Sequence, residues 1–124
     1  MILIVEDHCD SGEILRRLLA RFGYEARCVE TADEALKALR EQPIRVAVLD
    51  YNLPDHDGLW LLDQIRADPT LRFVRVIILS ATFEHDLGRR ALERGAMEWL
   101  VKGVHGTSHI VAAVQRAFAL PPAV

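Results

Sequence analysis

A chain of 124 residues, 51% of them hydrophobic, is the size of one ordinary domain and can bury a substantial core without disulfides or a structural metal. Its 15 basic and 18 acidic residues leave a net charge of −3, with no basic stripe or like-charge tail, which argues against direct binding to nucleic acid or an anionic membrane. Cys9, Cys28 and five scattered histidines show no zinc-type spacing, and the apolar opening MILIV meets Glu6 and Asp7 too soon for a signal peptide or membrane span, so a cytoplasmic location with free thiols is expected.

In chain order, ILIV (2–5) is a short, continuously apolar run, as in a strand covered on both faces. SGEILRRLLARFG (11–23) places Ile14, Leu15, Leu18, Leu19 and Phe22 on one helical face and ends at Gly23, a suitable C-terminal cap. EARCV (25–29) carries charges inside a strand pattern, which an edge tolerates. TADEALKAL (31–39) opens with a capping box, Thr31 and Glu34, and stops before Pro43. VAVL (46–49) is a second buried strand; DGLWLLDQIRADP (57–69) is a helix with Asp57 as N-cap and Leu59, Leu62 and Ile65 inward. VIIL (76–79) is a third buried strand, EHDLGRRALERG (84–95) a helix ending at Gly95, MEWLV (97–101) a second edge strand, and TSHIVAAVQRAF (107–118) a helix starting at a Thr or Ser cap. Residues 1–119 are thus expected to form one domain, with 120–124 a tail or the start of a linker, since Pro121-Pro122 cannot continue a helix.

Strict βα alternation with short connections implies parallel pairing through right-handed crossovers, a doubly wound α/β fold. Ligand sites in such sheets lie beyond the carboxyl ends of the strands. Those ends carry Glu6 and Asp7, then Asp50, Ser80 and Lys102. If the order is the flavodoxin-like 2-1-3-4-5, the first and third strands are neighbours, and two carboxylates at ~4 Å repel by about 4 kcal/mol at an effective dielectric near 20. An oxygen-rich, sulfur-free cluster suits Mg²⁺, and Lys102 adds a second cation. A carboxylate beside Mg²⁺, a hydroxyl and an ammonium is a phosphoryl-transfer arrangement, with Asp50 as the nucleophile.

The chain resembles a response-regulator receiver domain of the CheY-like type over essentially its whole length. ILIVEDH, VAVLDYNLPDHDG, VIILSA and GAMEWLVKG carry the resemblance, in the right order at strand ends. The resemblance implies that Asp7 and Asp50 bind Mg²⁺ directly, Glu6 acts through water, and the Asn52 backbone carbonyl completes the protein's share. It implies that Asp50 accepts a phosphoryl group from a phosphohistidine on a sensor histidine kinase or histidine phosphotransfer protein, and that Ser80 and Lys102 contact the phosphate. It further implies a switch through Ser80 and Trp99 that alters the face built from the fourth helix, fifth strand and fifth helix. That face would serve a downstream protein, an effector domain or a second copy. Asn52 and Thr82 are expected to bear on phosphate lifetime through access of water.

Gly103 departs from the proline usual after the lysine, and Trp99 is bulkier than the commoner tyrosine or phenylalanine. A haloacid-dehalogenase-type phosphatase also uses an aspartyl phosphate, but it would want an acid two positions after Asp50, where Asn52 stands, and a substrate cap. A flavodoxin-like flavin site would want a hydroxyl- and glycine-rich loop where EDHCDSG is acidic. A degenerate receiver used as a scaffold is the remaining alternative. Trp60, His105 and His109 are read as packing or surface residues.

Overall fold

Ten elements alternate strictly along the chain: β1 (Ile2–Val5), α1 (Cys9–Arg21), β2 (Ala26–Val29), α2 (Ala32–Glu41), β3 (Val46–Asp50), α3 (Gly58–Ala67), β4 (Arg75–Ser80), α4 (His85–Glu93), β5 (Glu98–Val101) and α5 (Thr107–Ala119). The structure is a computed structural model, and it describes residues 1–81 and 85–120. The five strands form one parallel sheet in the order β2-β1-β3-β4-β5, as the doubly wound reading expected. Among the described residues no helix is long and apolar enough to cross a membrane.

Alternate residues of each strand point to opposite faces. Leu3, Val5, Ala47, Leu49, Val76 and Ile78 join the core under α2, α3 and α4, while Ile2, Ile4, Val46, Val48, Ile77 and Leu79 join the core with α1 and α5. Helices on both faces explain why the central strands read as continuous apolar runs rather than alternating ones. Each fully buried Leu, Ile or Val contributes roughly 1.5–3 kcal/mol of transfer free energy. The register sets Val5 beside Leu49, Asp50 beside Leu79 and Ser80 beside Val101, so the carboxyl ends of β1, β3, β4 and β5 lie level.

The helices depart from expectation in phase and caps. Helix α1 begins at Cys9, two residues before the expected start at Ser11, with His8 as an N-cap that makes no side-chain bond. Its buried stripe is Gly12, Leu15 and Leu19; Ile14 and Phe22, expected inward, are 64% and 52% exposed. Ile14 stands about 100° around the helix from Leu15, which carries it off the stripe, and Phe22 is already the C-cap. Gly12 belongs in the stripe because a Cβ there would lie 2.5 Å from Cys28 Sγ on β2. Helix α5 is capped at Gly106, one residue before the expected Thr or Ser, with His109 Nδ1 accepting from Gly106 N at 3.1 Å. Thr31 caps α2 as read, its Oγ1 accepting from Glu34 N at 3.0 Å.

Candidate functional site

Because β1 and β3 are adjacent and level, Glu6 and Asp50 come together at the carboxyl edge of the sheet, only 5% and 6% exposed. Lys102, just beyond β5, reaches across to both: Nζ lies 2.9 Å from Asp50 Oδ2 and 3.3 Å from Glu6 Oε2. Asp50 Oδ1 accepts from Asn52 N at 3.2 Å, and Glu6 Oε1 from His8 N at 3.1 Å. Burial, reinforced by the Asp50 carboxylate, pushes the Glu6 carboxyl above its ordinary range, against the pull of the His8 N–H and Lys102. Burial draws the Lys102 ammonium down, but its hydrogen bond to Asp50 and the charges of Asp50 and Glu6 outweigh this and hold it above its ordinary value.

Asp7 is half-buried beside this pair, with ligand atoms of Glu6, Asp7 and His8 all within 4.8 Å of one another. Glu6, Asp7 and Asp50 thus supply three carboxylates against one ammonium. Oxygen donors with a partly open side and excess negative charge are chemically suited to a hard divalent cation. Ser80 is fully buried at the end of β4, and its carbonyl accepts from Lys102 N at 2.7 Å, tying the hydroxyl-bearing strand end to the lysine. The structure therefore gathers Glu6, Asp7, Asp50, Ser80 and Lys102 at one edge, with Asn52 opening the adjoining loop. Thr82 lies outside the described residues.

The loop after β3 separates the three aspartates. Asp57 caps α3, accepting from Trp60 N at 2.8 Å, and Asn52 bridges to Asp57 across the loop. Asp55, which follows Pro54, reaches α2: its Oδ1 accepts from Ala32 N at 2.9 Å and its Oδ2 from Asp33 N at 3.0 Å. No local spacing signals a contact more than twenty positions away.

The flanking aromatics are packed. Trp99 is half-buried and edge-on to Tyr51, ring centroids 5.6 Å apart, and it lies so close to α4 that a Cβ at Gly88 would sit 3.1 Å from its Cδ1. Trp60 stacks on His56 at 3.5 Å. Gly103 adopts φ +88°, a left-handed conformation closed to proline, and the turn it makes lets His105 Nδ1 accept from Val101 N at 2.9 Å. His105, expected only at the surface, is therefore a latch on the lysine loop.

The family model for the response regulator receiver domain matches residues 2–115. The chain is 30% identical over 102 residues to the probable chemotaxis protein CheY of Rhizobium etli, covering 82% of this chain and 79% of that one. It is also 30% identical over 105 residues to the sensory/regulatory protein RpfC of Xanthomonas campestris pv. campestris, spanning 83% of this chain but only 14% of RpfC. Among solved structures, the receiver domain of NtrX from Brucella abortus superposes with a TM-score of 0.88 at 28% identity, covering 98% of this chain and 100% of that one. With this match laid over a level row of acidic, hydroxyl and ammonium side chains, the chain belongs to the response regulator receiver domain family, a signalling module of two-component systems.

Proposed function

We propose that Asp50 is the phosphoacceptor of this receiver, taking a phosphoryl group from a phosphohistidine on a sensor histidine kinase or histidine phosphotransfer protein. The observation that carries this is the Asp50 carboxylate, 6% exposed at the end of β3, with the Lys102 ammonium 2.9 Å from its Oδ2. An Asp50 oxygen forms the new P–O bond as the P–N bond breaks, and the donor imidazole keeps the bonding pair. Glu6, Asp7, Asp50 and the Asn52 backbone carbonyl would hold Mg²⁺, which when bound neutralises charge on phosphoryl oxygens. Lys102, now shared between Asp50 and Glu6, moves its charge onto a phosphoryl oxygen, and the Ser80 hydroxyl donates to another. Low solvent access at Asp50 restrains hydrolysis, with Asn52 bearing on the access of water.

Phosphorylation adds roughly −1.5 to −2 charges where carboxylates already crowd. The redistribution of Lys102 and Ser80 biases the packing of Trp99 between Tyr51 and α4, and so the α4–β5–α5 face offered to a downstream protein, an effector domain or a second copy. The output is binding rather than turnover, and the module acts in the cytoplasm as residues 1–119; the tail or linker expected at 120–124 lies, beyond Leu120, outside the described residues. Incubation with Mg²⁺ and acetyl phosphate, followed by intact mass, tests the reading. One phosphoryl group on the wild type and none on Asp50→Asn supports it; an unmodified wild type leaves the scaffold reading instead.

A further inference from the structure

The Asp55 carboxylate lies in the loop that presents Asp50, yet both its oxygens are committed to another element. They accept the first two amides of α2, from Ala32 at 2.9 Å and Asp33 at 3.0 Å, while Thr31 takes the third, Glu34 N. The N-terminal amides of α2 are thus shared between a residue next to the helix and a loop more than twenty positions downstream. Oδ1 also accepts from His56 N at 3.1 Å, fixing the turn of the loop itself. Burial pushes the Asp55 carboxyl up, but the N–H groups of Ala32 and Asp33 outweigh it and hold it below the usual range.

The same seam continues through His56, whose ring stacks on Trp60 and whose Nε2 lies 3.8 Å from Asp33 Oδ1. Asp33, Asp55 and His56 bring ligand atoms within 4.8 Å of one another, but both Asp55 oxygens are spent on backbone amides, so the cluster is a cap and not a cation site. At its other end the loop is anchored by Tyr51 N on Leu79 O of β4 at 2.8 Å, and within itself by Asn52 bridged to Asp57, Gly58 N on Tyr51 O at 2.7 Å, and Asp57 on α3.

We infer that Asp55 is a positioning residue: by tying the β3–α3 loop to the amino end of α2, it fixes the backbone that carries Asn52 and presents Asp50. The inference rests on the phosphoacceptor reading above. Side chains that orient ligands without touching the ion commonly set affinity about 10- to 100-fold. Here the orienting bond acts on the loop rather than on one ligand, which places the effect at the lower end.

Thr31→Val provides the control, since it uncaps the same helix end without touching the loop. Tyr51 and His56 pack on Trp99 and Trp60, so tryptophan fluorescence reports the loop directly. Mg²⁺ is titrated by fluorescence into wild type, Asp55→Ala and Thr31→Val, and acetyl phosphate labelling is followed against Mg²⁺ in the same proteins. Asp55→Ala is expected to weaken Mg²⁺ about 10-fold and to shift half-maximal labelling by the same factor, whereas Thr31→Val loses thermal stability but binds as wild type. Wild-type affinity in Asp55→Ala, or an equal loss in Thr31→Val, overturns the inference. Failure of the phosphoacceptor reading shows separately, as labelling that persists in Asp50→Asn, while the Mg²⁺ titration still decides the role of Asp55.

Discussion

Lys102→Met keeps the aliphatic stem and deletes the charge, leaving Glu6 and Asp50, 5% and 6% exposed, with no ammonium between them. Removing one partner of a fully buried ion pair costs ~3–5 kcal/mol because the other charge stays buried. The Lys102 side chain is 39% exposed, so solvent already screens part of the lost attraction, and the expected cost at neutral pH without divalent cations falls to about 2 kcal/mol. That corresponds to roughly 5–10 °C in Tm. Glu6 sets the pH dependence. Its carboxyl is already above its ordinary value of 4.5, and losing Lys102 removes one of the influences that lower it. A carboxyl raised in the folded state destabilises when ionised, and the unfolded value is common to both proteins, so the Glu6 share of the deficit is full above the variant's folded pKa and is lost as pH falls through the wild type's, leaving the share that comes from Asp50. Urea denaturation in chelator at neutral pH and near 4.5, with a cycle through Asp50→Asn, measures this; the double variant should be less destabilised than the single effects combined. Saturating Mg²⁺ should stabilise Lys102→Met more than wild type. A deficit below about 0.5 kcal/mol, or one unchanged at acidic pH, would refute the charge-clamp reasoning.

Other substitutions follow from single contacts. Gly12→Ala drives a Cβ to 2.5 Å from Cys28 Sγ, and overpacking of this kind costs about 1–3 kcal/mol; adding Cys28→Ala should restore most of the lost stability in a thermal melt. Gly103→Ala, forced to keep φ +88°, should lose about 1–2 kcal/mol. Gly103→Pro cannot take that angle, so the Val101 amide should lose the hydrogen-exchange protection that His105 gives it. Asp55 has its carboxyl below the ordinary 3.8, so its contribution to stability is present above that value and lost as pH falls through the lower folded value. The Tm gap between wild type and Asp55→Ala should therefore close only in strong acid, and a gap independent of pH would show that the carboxylate charge is not what caps α2.

Ile2–Val5, Val46–Leu49 and Val76–Leu79 were legible because a strand covered on both faces must be apolar throughout, and the same rule brought Glu6, Asp50, Ser80 and Lys102 to one edge before any geometry was available. The helical faces were harder. Leu15 and Ile14 are chemically alike, and the one that turns inward lies on the stripe that runs through Gly12, close against Cys28, to Leu19. Least legible were contacts made by polar side chains at long range. Asp55 on α2 and His105 on Val101 depend on how two loops meet in space, and an aspartate after Pro54 or a histidine after Gly103 carries no local mark of its partner. Asp57 was legible as a cap because its partner, Trp60 N, lies three residues away.

Asp50 is the proposed reacting carboxylate, and reductive trapping reads that assignment directly. Borohydride converts an aspartyl phosphate to homoserine, and peptide mass spectrometry after Mg²⁺ and acetyl phosphate locates it. Homoserine at position 50, lost on chelation of Mg²⁺, is the predicted result; homoserine at Asp7, Asp55 or Asp57, or labelling that persists without the cation, would contradict it.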